Sequence, residues 1–210
     1  RFESGVDWYT NMMLVNPYTF GATLSTVVDY EFIGADYATT TNDSTGNTTA
    51  SGLGVQSYSQ YAYIKTNNLL QARKDVVIDN SGALSPLLSF EGDFEIEIKT
   101  KFIDPYNFFA VNVLELYGTA SISFSLTIFA TGAVYFSSVG LDGFTINGTG
   151  AAINVYQTFK LKRENGLISL YVDDVLKGSV YNAAVMSAGR LELRGMDGDR
   201  YTDYLRIKKA

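Results

Sequence analysis

The sequence predicts an all-β chain: an antiparallel two-sheet sandwich or a barrel, with negligible helix. Three observations carry this. Apolar and polar residues alternate with period two in segment after segment. Asn165-Gly166 sits between two such segments, and this pair favours a two-residue hairpin turn because both positions tolerate positive φ. No stretch shows the i, i+3, i+4, i+7 apolar spacing of an amphipathic helix.

Taken in order, the first alternating segment places Leu24, Thr26, Val28, Tyr30 and Phe32 on one face and Thr23, Ser25, Asp29 and Glu31 on the other, with Val27 as the exception. Residues 38–60 are rich in Ser, Thr, Asn and Gly, with Asp43 their one charge. Such a segment has little to bury and reads as a polar loop that needs something to lie against, such as a neighbour in an assembly. Phe94, Ile96, Ile98 and Phe102 alternate with Glu95, Glu97, Lys99 and Lys101, a half-buried strand with one charged face. Leu116–Leu141 contains no charged residue, yet its Ser/Thr alternation with Ile122, Phe124, Leu126 and Ile128, and its glycines, make it a pair of strands and not a membrane span. Phe159, Leu161 and Arg163 alternate with Lys160 and Lys162. After the turn come Ile168, Leu170 and Val172, and Asp173-Asp174 marks a further turn before Val175-Leu176. Leu191 and Leu193 alternate with Arg190, Glu192 and Arg194; a Gly/Asp loop then leads to a last strand around Tyr204–Ile207. The expected core is Phe94, Ile96, Ile98, Phe159, Leu161, Ile168, Leu170, Val172, Leu191, Leu193, Leu205 and Ile207.

Composition excludes several functions. The 210 residues contain no Cys and no His. Disulfide scaffolds, thiolate or imidazole metal sites, cysteine nucleophiles and His-based triads are therefore ruled out. The net charge is −6, and neither half of the chain is strongly basic, so no phosphate-neutralising surface for nucleic acid is present. The absence of Cys points away from a small disulfide-stapled animal domain and towards a microbial or viral source. The sequence begins at Arg1 without a charged and then apolar leader, the expectation for a processed chain or a fragment.

Candidate sites follow from residue chemistry. Glu95 and Glu97 share a strand face with Lys99 and Lys101, with no third carboxylate to complete a hydrolytic set, so the expectation is a solvated face and no enzyme activity. Asp197, Asp199 and Asp203 are expected in one Gly-containing loop. Their oxygens suit calcium, although the stretch lacks the sixth-position Gly and terminal Glu of an EF-hand loop, and tight turns use the same residues. Trp8, Tyr58, Tyr61 and Tyr63 are candidate platforms for sugar rings, with core or interface packing as the alternative. Asn42-Asp43-Ser44, Asn47-Thr48-Thr49 and Asn147-Gly148-Thr149 fit the glycosylation pattern.

Three stretches resemble the laminin-G-like jelly roll of the concanavalin A-like lectin/glucanase superfamily. Leu88–Lys99 resembles the strand near the start of such domains, Tyr156–Leu176 the paired strands at their centre, and Asp203–Ile207 the closing strand. They occur in the family's order and cover the C-terminal 120 residues or so. The resemblance implies two packed antiparallel sheets of about six or seven strands each. Tyr156 or Phe159 stands where the family has Trp, and Asp174 where its turn has Gly, so that turn is expected to be distorted or of another type. Residues 1–37 become edge strands or an arm, 38–60 the polar loop and 61–210 the sandwich. The family includes members that bind calcium at the sandwich rim.

The resulting expectation is a non-enzymatic glycan- or surface-binding lectin-like module, extracellular or on a virion surface. The alternative is a structural subunit (fibre, spike or decoration protein) of a virion or extracellular filament. Expected partners are a glycan or cell-surface ligand and other protein subunits, with no nucleic acid and no membrane insertion. Calcium is the expected cofactor where any cation is held. Calcium held there by Asp197 or Asp199 is expected to stabilise the chain by mass action. The melting temperature is then expected to rise with added calcium and to fall with a chelator, and D197N/D199N should abolish both effects; a flat wild-type titration leaves only the turn.

Overall fold

The computed structural model describes residues 23–57, 60–65, 68–79, 92–103, 110–117, 122–138, 141–182, 190–193 and 199–210. Among them are sixteen strands and no helix. They are β1 (Ser25–Tyr30), β2 (Thr49–Ser51), β3 (Gly54–Ser57), β4 (Gln60–Lys65), β5 (Leu69–Ala72), β6 (Val76–Asp79), β7 (Phe94–Ile103), β8 (Ala110–Tyr117), β9 (Ile122–Phe129), β10 (Val134–Ser138), β11 (Leu141–Ile146), β12 (Gln157–Glu164), β13 (Leu167–Val172), β14 (Val175–Tyr181), β15 (Arg190–Leu193) and β16 (Asp199–Lys209).

They form two antiparallel sheets packed as a sandwich. The larger has nine strands, in the order β14-β13-β12-β7-β16-β5-β4-β3, with β1 also paired to β16. The smaller runs β11-β10-β9-β8-β15-β6-β2. All twelve expected core residues lie between the sheets at 3% exposure or less. Strict alternation on β7 and β12 turns Phe94, Ile96, Ile98, Phe159 and Leu161 inward and the lysines and Glu95 and Glu97 outward, while Arg163 shares the inward face of β12 at 5% exposure.

Both predicted turns form. Asn165 and Gly166 adopt φ of 50° and 82°, and Asp173 and Asp174 adopt 51° and 61°. The second turn is therefore left-handed at both positions without glycine, so Asp174 does not change its class. Asp173 offsets the cost by accepting from the Thr158 backbone N–H at 2.9 Å and from Gln157 Nε2 at 3.1 Å.

Two parts of the sequence reading change. The polar segment is not simply a loop: it contains β2 and β3 and an Asn42–Thr49 bridge. Its order comes from Asp43, which is 5% exposed. The Asp43 carboxylate accepts from the backbone N–H groups of Asp29, Thr45 and Thr48 and from the hydroxyls of Thr45 and Thr48, at 2.8–3.1 Å. A lone acid with five donors is a local structural centre; three of the donors are backbone N–H groups and two are the hydroxyls of Thr45 and Thr48. Thr48 also meets the Tyr30 hydroxyl at 3.2 Å, tying the segment to a fully buried ring.

The last strand also starts earlier than expected. β16 begins at Asp199, so Asp199 and Asp203 stand on a strand and not in a loop. Two features hide this in the sequence. Arg200 and Thr202 are polar yet point inward, at 1% and 0% exposure. A register shift between Thr202 and Tyr204 inserts Asp203 as an extra residue, so the inward set changes from Arg200 and Thr202 to Leu205 and Ile207. Arg200 Nε donates to Thr202 Oγ1 at 3.0 Å, and its guanidinium lies 5.1 Å from the Phe102 ring centre. Burial pulls the Arg200 guanidinium below its ordinary range, and Asp75 opposes that shift.

The outer face of the large sheet carries charge ladders. Asp29, Arg206, Glu97 and Lys160 are successive cross-strand neighbours, as are Lys208, Glu95 and Lys162. Lys160–Glu97 closes at 2.8 Å, Lys208–Glu95 at 2.7 Å and Arg206–Asp29 at 3.0 Å. Burial pushes the Glu97 carboxyl up, but hydrogen bonds from Lys160 and the Tyr204 hydroxyl outweigh it and hold the carboxyl below its ordinary range. A depressed carboxylate stabilises the fold above its unfolded value of about 4.3, and that contribution disappears as pH falls through the folded value. Wild type is therefore expected to lose stability below about pH 4 more steeply than Glu97→Gln, in urea unfolding followed across acid pH. Parallel acid slopes for the two proteins would show the ladder to be unimportant.

Candidate functional site

β4 decides the geometry. Ala62 and Ile64 are fully buried, so Tyr61, Tyr63 and Lys65 project from the opposite, outer face. The antiparallel register then sets Tyr63, Gln71, Tyr201 and Lys101 side by side across β4, β5, β16 and β7. The loop after β1 runs along the end of β4. Tyr37 donates its N–H to the Ile64 carbonyl at 2.7 Å, and Ile64 donates back to the Ala38 carbonyl at 2.9 Å. This brings the Tyr37 ring onto the same surface.

The result is a shelf of tyrosines. Tyr61 and Tyr63 stack with ring centres 5.2 Å apart and planes 20° apart, and Tyr37 meets Tyr63 at 5.0 Å, tilted by 50°. Lys65 Nζ lies 4.4 Å from the Tyr37 ring centre and 5.3 Å from that of Tyr63. Lys101 Nζ lies 4.6 Å from the Tyr156 ring centre and 5.3 Å from that of Tyr201. Such cation–π contacts hold flexible ammonium groups over the rings.

Asp199 anchors the shelf. Its Oδ1 accepts from the Tyr61 hydroxyl at 2.5 Å and from Arg73 Nε at 2.6 Å. Its Oδ2 accepts from Gln71 Nε2 at 3.0 Å and from the Tyr201 hydroxyl at 3.4 Å. Burial raises the Tyr61 hydroxyl well above the ordinary tyrosine value, and the hydrogen bond to Asp199 adds to it. Burial likewise raises Tyr63, Tyr156 and Tyr201. The rings are therefore neutral across the physiological range.

Two separately predicted sets meet here. Tyr61, read as a sugar platform, and Asp199, read as a calcium ligand, are joined directly although 138 residues apart. Tyr63 lies beside them. Asp203 is turned to Lys99 at 2.6 Å. Trp8, Tyr58 and Asp197 lie outside the described residues. Among the described residues, no group of three His, Cys, Asp or Glu side chains is arranged to hold a metal ion. A cation at Asp199 has to compete with Arg73 for Oδ1. Sequence reasoning missed Tyr37, Gln71, Arg73, Lys101, Tyr156 and Tyr201. Only Lys65, two residues beyond Tyr63 in the same alternation, carried a readable signal.

Comparison with known proteins adds the fold. No protein-family model matches the chain, and no curated protein sequence does either. Solved structures do match. A structure of botulinum neurotoxin type C, described in connection with cell entry through two ganglioside molecules, aligns with a TM-score of 0.62 at 8% identity, over 87% of this chain and 47% of that one. The botulinum neurotoxin serotype D binding domain gives 0.62 at 12% identity, over 87% and 47%. A glycosyl hydrolase family protein from Mycobacterium fortuitum gives 0.54 at 12% identity, over 87% and 99%. The carbohydrate-binding module CBM66 from Bacillus subtilis gives 0.50 at 15% identity, over 84% and 99%. The chain therefore shares its two-sheet antiparallel β-sandwich fold with these proteins. It spans a little under half of the toxin chains. Among the described residues, no helix is long and apolar enough to cross a membrane.

Removing the anchor tests the site's construction. Asp199→Ala leaves Arg73 and Tyr61 without their shared acceptor and is expected to cost about 1–3 kcal/mol in denaturant unfolding. It should also lower the Tyr61 hydroxyl towards the ordinary range in an alkaline NMR titration. An unchanged stability and titration would show that Asp199 organises nothing.

Proposed function

We propose that this chain is a non-enzymatic, laminin-G-like glycan-binding module of an exported or surface protein, and that the tyrosine shelf is its binding face. One observation carries the reading: Tyr37, Tyr63, Tyr61, Tyr201 and Tyr156 gather on one sheet face, with rings half-exposed or exposed and hydroxyls and cations at their edges. Ring faces suit the C–H faces of sugars, while Asp199, Arg73 and Gln71 hold the platform rigid. The ganglioside and carbohydrate named for two of the similar structures support the same reading.

The chemistry argues against turnover. Glu95 and Glu97, the carboxylates nearest to a hydrolytic pattern, are committed to Lys208, Lys160 and Tyr204. A second reading, an assembly subunit, draws on the exposed apolar side chains of Leu167, Val175, Leu176 and Tyr181 along β13 and β14.

A glycan array probed with the labelled chain tests the proposal. At least one glycan class should bind, with affinity falling about tenfold in Tyr63→Ala, the loss of roughly 1.4 kcal/mol of stacking. The circular dichroism of the variant should match wild type. Binding that is equal in wild type and Tyr63→Ala places the ligand elsewhere. An array that stays blank while light scattering shows a stable oligomer favours the assembly subunit.

A further inference from the structure

We infer that the ligand of the shelf is an anionic glycan, carrying carboxylate or sulfate groups, and that Lys65 and Lys101 receive those groups; this rests on the shelf being the binding face. The shelf holds charge that the sheet itself does not use. On the outer face of the large sheet, cations are paired as a rule. Lys99 meets Asp203 at 2.6 Å, Lys160 meets Glu97 at 2.8 Å, Lys162 meets Glu164 at 2.7 Å, Lys208 meets Glu95 at 2.7 Å, and Arg206 meets Asp29 at 3.0 Å. Lys65 and Lys101 break the rule. Lys65 donates to the Tyr37 hydroxyl at 3.3 Å and rests on two rings, and Lys101 rests on two rings; among the described residues, no carboxylate forms an ion pair with either ammonium.

Nearby acids do not cancel them. Asp199 is held by Arg73, and Asp203 by Lys99. Asp36 acts on Lys65 only at a distance. With Asp199 and Arg73 paired to each other, Lys65 and Lys101 are the shelf's described cations without an ion-pair partner.

Their spacing selects the ligand further. Lys101 lies three strands across from β4, and Lys65 two residues along it from Tyr63. At about 4.8 Å per strand and about 3.3 Å per residue, their backbones stand about 16 Å apart. That span, with Tyr63 and Tyr201 between, suits an oligosaccharide with repeated anionic groups better than a single charged sugar. Rings take the sugar faces, and the ammonium groups take the oxyanions as charge-assisted hydrogen bonds.

The test uses the full chain with defined probes: oligogalacturonate, a sulfated glycosaminoglycan oligosaccharide and a sialylated trisaccharide, each beside its carboxyl-reduced, desulfated or asialo counterpart. An acidic peptide and a single-stranded oligonucleotide serve as non-sugar polyanions. At least one anionic glycan should bind more tightly than its neutral counterpart, with affinity falling as salt rises. K65Q/K101Q should weaken it about tenfold while leaving thermal unfolding unchanged. Carboxylated and sulfated probes separate the two sources of charge. Neutral counterparts binding as well as charged ones, with no effect of K65Q/K101Q but loss in Tyr63→Ala, overturn the anionic inference and leave the binding face standing. Full binding in Tyr63→Ala overturns the face itself. Equal binding of the acidic peptide or oligonucleotide overturns the sugar specificity, and binding of no probe overturns the inference.

Discussion

The pairing of β16 with β7 is the constraint on which the rest of this sandwich depends. β16 lies next to β7 over its full length and, on its other edge, pairs first with β5 and then with β1. β16 thus joins β1, the β3–β5 strands and the central hairpins into a single sheet. Most of these contacts are far apart in sequence, and antiparallel register is specified strongly because a one-residue slip would expose one whole side-chain set. The bulge at Asp203 is the device that reconciles them. It lets Arg200 and Thr202 face inward at one end and Leu205 and Ile207 at the other, while β7 alternates without interruption.

The bulge has a second effect, on the outer surface. Ahead of it, Asp199 and Tyr201 face outward beside β5 and β4; after it, Tyr204, Arg206 and Lys208 do so beside β7 and β1. The sheet face is thereby divided. One half is a ladder of compensated charges, and the other is a tyrosine shelf organised around one carboxylate. The ladder has no charge left for a ligand, whereas the shelf holds two ammonium groups on aromatic rings. A division of this kind, on a face the core does not need, leaves one half free to carry recognition.

Polar groups are used in the same way elsewhere. Asp43 collects five donors and turns a segment with almost no apolar side chains into ordered structure. Gly178 works by omission: a Cβ there would come within 3.0 Å of the Ile146 side chain, so its absence lets β14 and β11 close one side of the sandwich. Neither residue contributes an apolar side chain of its own, which is why neither stands out in a reading based on hydropathy.

The sequence by itself determined the class of fold, the turns and the core. Period-two alternation reports directly which side chains are removed from water, and every core position read from it is buried. Asn165-Gly166 and Asp173-Asp174 were legible because left-handed turns draw on few residue types. The start of β16 was not, because buried Arg200 and Thr202 and the extra residue at Asp203 break the alternation that marks a strand. Of the candidate site, Tyr61, Tyr63 and Asp199 were legible as residue types suited to binding, but their union was not. Tyr37 enters from a loop, Gln71 and Arg73 from β5 and just beyond it, and Lys101 and Tyr156 from segments with no local sign of a shared surface. Only the tertiary structure decided that assembly, since strand order is set by long-range pairing energies and local alternation says which face a residue takes, not which neighbours it meets there.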